Sequence, residues 1–440
     1  MRNRLILAAA LALAFLAAPA GAAAAPAGAA ASDYAPGRLI VKYRQGTTPN
    51  VQSAVQRIAG VQAKRRLPGG SRELQVKDGA SVRQTVAELR ADPNVAYAVP
   101  DYIAHASAFH PNDPAFRLQW NFAGTYGIKM PEAWTLARRR RSPGGRGTVV
   151  AVLDTGVAYR TFRRYRRAPD LRHFTRGYDF VGNDRYPFDL NGHGTHVAGT
   201  IGETTNNRRA ATGIAYRTKI MPVRVLDAEG AGDTIAISRA IRWATRKRAD
   251  VINLSLEFDS SVRAAQIPDV VRALHYARRR GVTVVGAAGN QADSVVAYPA
   301  RTSSVIAVAG TTDSGCEADY SNAGDEVDVA APGGGANAPN DDNVWDLEAC
   351  SRGSGRDIYQ QTFTSSLRRF GLPGGYEGTS MAAPHVSGLA ALIIGTRRLG
   401  RHPSPRAIEE HIERTSRDLG PSGFDSRYGY GLIDAAAALR

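Results

Sequence analysis

Val149-Val-Ala-Val-Leu-Asp-Thr-Gly156 sets an unbroken apolar run against a carboxylate and a chain-breaking glycine. A run without polar alternation suits a strand buried on both faces, which is the situation of a parallel sheet covered by helices on each side. Asp154 falls at the carboxyl end of that strand, the edge at which open α/β sheets place their chemistry. Five further runs of the same kind follow: Lys219 to Leu226, Val251 to Leu256, Val282 to Ala287, Val305 to Ala309 and Val327 to Ala331. Between them Ile237, Ala240, Ile241 and Ala244 share one helical face, and Val270, Ala273, Leu274 and Ala277 another. The expected class is therefore α/β, a mainly parallel central sheet with helices on both sides.

Two more segments carry reactive groups. Gly192-His-Gly-Thr-His196 places His193 between glycines ahead of small and apolar residues suited to a tightly packed helix. Gly378-Thr-Ser-Met-Ala-Ala-Pro384 puts Ser380 at the start of the apolar run to Ile394, so its hydroxyl should stand at a helix N-terminus, where free N–H groups favour negative charge. Alone, Asp154 reads as a turn former, His193 as a metal ligand or core residue and Ser380 as a helix cap. Together a carboxylate, an imidazole and a hydroxyl point to a serine hydrolase.

These segments, in the order Asp, His, Ser, resemble the subtilisin-type serine proteases, and the resemblance runs from about Pro111 to Ala438. It implies the three-layer subtilisin-like fold and an endopeptidase working through an acyl-enzyme without a catalytic cofactor. Asp154 would orient, His193 would act as general base and acid, and Ser380 would be the nucleophile; His196 would be structural. Asn290, at the end of Val282-Thr-Val-Val-Gly-Ala-Ala-Gly-Asn290, would donate to the oxyanion with the Ser380 backbone N–H. Protein and peptide substrates would pair as a strand with Gly230-Ala231-Gly232 and Ser255-Leu256. The primary pocket would be walled by Ser255, Leu256 and Glu257, by Ala287, Ala288 and Gly289, and by the region of Ala297.

Glu257 stands where the family usually has glycine. An exposed ion pair is worth about 0–1 kcal/mol, so the expectation is a broad preference for apolar or aromatic residues, and Thr234 implies an open outer subsite. Calcium, the family's usual stabiliser, would take Asp113, Asp170, Asn207, Thr212 and the carbonyl of Ile214, although two loops around them are longer here. Asp179, Asp184 and Asp189 form a second oxygen-rich group, with Gly182 where the family can carry a carboxylate. Tyr428-Gly-Tyr-Gly-Leu-Ile-Asp434 resembles the family's closing segment, which implies that nothing is appended after the protease. A catalytically silent homologue acting as a binding protein would have lost a member of the triad, and all three are present. An esterase of the α/β-hydrolase type is disfavoured because no Gly-x-Ser-x-Gly is followed by Asp and then His.

Ahead of this domain, residues 1–25 open with Arg2 and Arg4, continue through Leu5 to Ala18 and end in Ala20-Gly-Ala22, the pattern of a cleaved export signal; a secreted protein without a membrane anchor is expected. Residues 33–106 read as strand, helix, strand, strand, helix, strand, with Ser81-Val-Arg-Gln84 as a capping box, which is a ferredoxin-like unit. Placed before a subtilisin-like domain at 107–440, it resembles that family's propeptide, an intramolecular inhibitor and folding aid. Its tail, Ala98 to His105, would lie in the substrate cleft, and processing is expected between about Tyr102 and Pro111.

The 440 residues carry a net charge of +16 and 43% hydrophobic residues, enough for a sizeable core. The arginine clusters at 138–141, 163–167, 246–248 and 278–280 lack interleaved aromatic platforms, so solvated surface rather than nucleic-acid binding is expected, in a monomer. An exported context lets Cys316 and Cys350 pair.

Overall fold

The computed structural model describes residues 34–77, 80–102, 108–338, 350 and 355–440. The export signal expected at 1–25, and residues 103–107 of the expected processing segment, lie outside the described residues. The chain divides into two compact units, Met1–Ser107 and Ala108–Arg440, each taken by itself below.

The first unit runs β1 (Tyr34–Tyr43), α1 (Pro49–Ile58), β2 (Val61–Arg66), β3 (Arg72–Val76), α2 (Val82–Ala91) and β4 (Val95–Tyr102). Its antiparallel sheet has the order β2-β3-β1-β4. Leu39, Val41 and Leu74 of the sheet meet Val55, Val86 and Leu89 of the helices in one core. Only half of the expected capping box forms: the Ser81 hydroxyl accepts the Gln84 N–H, while the Gln84 side chain turns to Glu88.

The second unit runs α3 (Trp120–Ala123), α4 (Met130–Arg139), β5 (Val149–Asp154), β6 (Tyr178–Asp179), α5 (His193–Gly202), β7 (Lys219–Arg224), α6 (Thr234–Arg246) and β8 (Val251–Leu254). It continues with α7 (Pro268–Arg279), β9 (Thr283–Ala287), β10 (Ile306–Thr311), β11 (Val329–Pro332), β12 (Thr362–Phe363), β13 (Phe370–Gly371), α8 (Thr379–Gly395), α9 (Pro405–Thr415) and α10 (Ala435–Leu439). Seven of these strands form one sheet, β11-β10-β9-β8-β5-β7-β6, parallel throughout. On β5, Val150 and Val152 enter the core that holds α5 and α8, while Ala151 and Leu153 enter the core that holds α6 and α7. Burial on both faces is the physical reason the strand shows no polar alternation. Chain order reverses at β5, which lies between β7 and β8, so its carboxyl end opens into the crevice of a doubly wound sheet.

Three of the four arginine clusters end helices, at α4, α6 and α7, where cations complement the helix dipole. The fourth cluster, contrary to the expectation of no interleaved aromatic residues, has Tyr165 within it: the Arg163 and Arg164 guanidinium groups lie over the rings of Phe162 and Tyr165, and Tyr165 stacks on Phe188 at 4.1 Å. Among the described residues no helix is long and apolar enough to cross a membrane.

Cys316 and Cys350 are joined as a disulfide, with Cα atoms 5.5 Å apart across a sequence separation of 34. Closing a loop of that size in the unfolded chain contributes about 2–4 kcal/mol. Cys316→Ser with Cys350→Ser, in a chain inactivated at Ser380 to prevent self-digestion, should therefore unfold at lower denaturant concentration. An unchanged midpoint would mean that the bridge constrains little.

Candidate active site

Asp154 is the last residue of β5 and fully buried. Its Oδ1 accepts from the Thr155 N–H at 2.7 Å and lies 2.7 Å from Nδ1 of His193. A neutral imidazole donating from Nδ1 leaves Nε2 as an acceptor on its other edge. The His193 side chain keeps 25% of its surface exposed, so that edge is reachable from the cleft. Burial works against the imidazolium, but the charge and hydrogen bond of Asp154, with Asp189 behind, outweigh it and raise the pKa above the ordinary 6.5.

Asp189 holds the histidine loop in register. Its two oxygens accept from Thr155 Oγ1, from the N–H groups of Asn191, Gly192 and Thr195, and from Thr195 Oγ1. Gly194 has to be glycine, since a Cβ there would stand 2.1 Å from the Gly156 carbonyl and 2.9 Å from Asp154 Oδ1. The neighbouring His196 is buried with Nε2 on the Ile358 carbonyl and its ring 4.1 Å from Tyr376, and burial pushes its pKa down to about 3. It is a neutral structural histidine.

Ser380 is the second residue of α8, a helix buried along nearly its whole length. Pro384, inside that helix, has no N–H to give the carbonyl four residues back, which is that of Ser380. The Ser255 hydroxyl, just after β8, donates to that carbonyl instead at 2.8 Å. The proline thus frees an acceptor through which the cleft wall grips the serine.

Asn290 follows β9, and its Oδ1 accepts from both the N–H and the hydroxyl of Thr379, at 2.7 and 2.9 Å. An amide N–H can only donate, so this contact fixes which end of the Asn290 amide is oxygen and turns its NH2 away from Thr379. Nδ2 lies 3.4 Å from Oε2 of Glu257.

A cleft of about 460 Å³ joins these groups, lined by His193, Ser380 and Asn290 with Gly230, Ala231, Gly232, Ser255, Leu256, Glu257 and Ala287. Ala288 and Ala297 are fully buried and stand behind the cleft wall, while a Cβ on Gly289 would meet Asn322 and Ala297. Thr155, Asn191, Leu226, Ile237 and Phe258 also line the cleft. Sequence reasoning passed over them, although Asn191 and Phe258 directly flank stretches it had chosen.

Of the expected calcium ligands, Asp113, Asp170 and Asn207 come together: Asp113 accepts the Asn206 and Asn207 N–H groups, and the Asn207 amide donates to Asp170. The Thr212 carbonyl instead accepts from Gln119 and Gln360, and that of Ile214 from the Trp134 indole. The carboxylate missed from sequence is Glu203, fully buried and close enough to Asp170 to feel its charge. Burial first, and neighbouring carboxylates second, push Glu203 up to about 8; burial pushes Asp170 up to about 6. Neither oxygen of Glu203, nor Asp170 Oδ2, has a hydrogen-bond partner of good geometry. The second oxygen-rich group is occupied by protein donors, Asp179 by Arg224 and two backbone N–H groups and Asp189 as above. A further acidic group, Asp328, Glu409 and Glu413, brings carboxylate oxygens within 4.8 Å of one another.

A buried carboxylate on an imidazole, beside a serine at a helix N-terminus and an amide donor, defines a serine hydrolase. The subtilase family model matches residues 145–431, and a model described as the fervidolysin N-terminal prodomain matches residues 20–101. The chain is 34% identical to a thermophilic serine proteinase of Bacillus sp. (strain AK1), over 92% of this chain and 88% of that protein. It is 32% identical to an extracellular protease of Xanthomonas campestris pv. campestris, over 98% of this chain and 77% of that protein. A solved structure of a protease from Pseudoalteromonas arctica PAMC 21717 is 33% identical and superposes with a TM-score of 0.60, covering 75% of this chain and 98% of that one. The chain belongs to the subtilase family. It is a serine endopeptidase with an N-terminal prodomain and the subtilisin-like fold.

Proposed function

We propose that Asp154, His193, Ser380 and Asn290 are the catalytic groups of a secreted, self-processing endopeptidase. The observation that carries this is the convergence on one cleft of the paired His193 with Ser380 and Asn290. Ser380 Oγ attacks the scissile carbonyl carbon as His193 Nε2 takes its proton, and the resulting imidazolium is held by Asp154. The carbonyl oxygen becomes an oxyanion that accepts from Asn290 Nδ2 and the Ser380 N–H. His193 then protonates the leaving amine, and water releases the acyl group by the same steps in reverse. Asn290→Ala should lower kcat about 100- to 1000-fold, the size established for this donor in subtilisin. Retained turnover would remove Asn290 from the mechanism.

The residues of Gly230 to Gly232 and Ser255 to Leu256 would pair with substrate as a strand, and the prodomain's tail would occupy the same place before processing. Export through residues 1–25 and release of 33–106 from a peptidase domain at 107–440 complete this reading. It is supported by the extracellular relative and by the prodomain match.

Asp113, Asp170, Asn207 and Glu203 would hold a structural calcium ion, which would offset their mutual repulsion. The Ser380→Ala protein should then melt at a higher temperature in calcium than in EDTA, and Asp170→Asn should abolish the difference. Equal melting temperatures in the two buffers would refute the assignment.

A further inference from the structure

Glu257 sits in the cleft wall between Leu256 and Phe258, partly buried. Among the described residues its carboxylate is the only one lining the cleft, and no lysine or arginine of that set lines it, in a chain with 56 basic residues. Among the described residues no ion pair includes Glu257; its polar neighbour is the Asn290 amide. Burial acts on it as the largest influence and raises its pKa above the usual 4.5. The low worth of an exposed ion pair, on which a broad apolar preference rests, does not apply to a carboxylate that the fold has partly desolvated and left without a cation.

Resting on the endopeptidase reading above, we propose that Glu257 selects substrates with lysine or arginine at the acyl side of the scissile bond. The neighbouring Leu256, Phe258 and Ala287 would pack along the aliphatic stem of such a side chain while its cationic head reaches the carboxylate. Selection acts on turnover as well as on binding, because Oε2 lies 3.4 Å from the amide that serves the oxyanion. With a neutral side chain in the pocket the carboxylate stays on Asn290, competes for its hydrogens and sets a negative charge beside the developing oxyanion. A guanidinium or ammonium draws the carboxylate off and neutralises it. The pocket thus rewards a basic residue twice, in KM and in kcat.

The test uses the mature enzyme and peptide substrates that differ only at the acyl-side residue: arginine, its neutral near-isostere citrulline, lysine and phenylalanine. Fluorophosphonate titration of Ser380 normalises every preparation to active sites, which also reports whether a variant has folded. The expected result is a kcat/KM about tenfold or more higher for arginine than for citrulline, the size of a hydrogen bond to a charged group, with part of the ratio in kcat. Glu257→Gln should bring that ratio close to one, and Glu257→Asp should leave it intermediate. An arginine-to-citrulline ratio near one in the wild type, or an unchanged ratio in Glu257→Gln, overturns the proposal. Failure of the wild type both to react with the fluorophosphonate and to cleave any of the peptides would instead overturn the endopeptidase reading, and this proposal with it.

Discussion

Replacing Ser380 with alanine should lower peptide hydrolysis about a millionfold, the loss that removal of the nucleophile brings in subtilisin. The chain should also accumulate as an uncleaved precursor. Nothing else at the site depends on the hydroxyl: alanine is the best helix former at the second position of α8, and the Ser255 bond goes to a backbone carbonyl that the substitution keeps. The oxyanion donors, Asn290 Nδ2 and the backbone N–H of residue 380, survive as well. Intact-mass spectrometry separates the outcomes, since the wild type should shed its first unit by cleavage near residues 102–111 while Ser380→Ala retains it. A processed and active Ser380→Ala protein would exclude Ser380 as nucleophile.

The sheet was readable because its strands are buried on both faces, so β5, β7, β8, β9, β10 and β11 appear as apolar runs with few competing interpretations. What escaped was a strand too short to show a period and two helices at the edges of the domain. The two-residue strand β6 has no pattern of its own and exists through its pairing with β7. The helices α4 and α9 bury one stripe and end in cations, as α6 and α7 do, but neither lies between two of the apolar strands that framed those two helices.

The site divides in the same way. Asp154, His193, Ser380 and Asn290 sit on stretches whose local shape is written in adjacent residues, a strand end, a glycine-flanked turn and a helix start. The environment of each is tertiary and was not readable. Pro384 looks like a defect in a helix until Ser255, 125 residues before Ser380, is found on the Ser380 carbonyl that the proline releases. Glu203 lies in an ordinary-looking stretch, and only folding brings Asp113 and Asp170 around it. Glu257 was visible as a departure from glycine, but the partial burial that decides what its charge is worth was not.

Substitution of Asp154 by asparagine removes the charge with little change of shape, and its expected cost is on the order of 10⁴-fold in kcat. Two geometries are open to the amide, and the Thr155 N–H decides between them. That donor sits 2.7 Å from Oδ1, so the asparagine oxygen should remain there and the NH2 take the place of Oδ2, a buried atom with no hydrogen-bond partner. His193 then still donates from Nδ1 to an oxygen, and the loss comes chiefly from the missing charge opposite the imidazolium. The pH dependence tests the charge itself, which either orientation of the amide removes. In the wild type Asp154 supplies the two largest influences that raise the His193 pKa, so the acid limb of kcat/KM should have its midpoint above pH 6.5. Activity is absent below that midpoint, where the ring is protonated, and appears above it. Without the carboxylate's charge, burial is opposed by Asp189 and by a hydrogen bond to a neutral oxygen, and the limb should move to lower pH while the plateau falls. A plateau that falls with the limb unmoved would mean that Asp154 acts through orientation of the ring rather than through its charge.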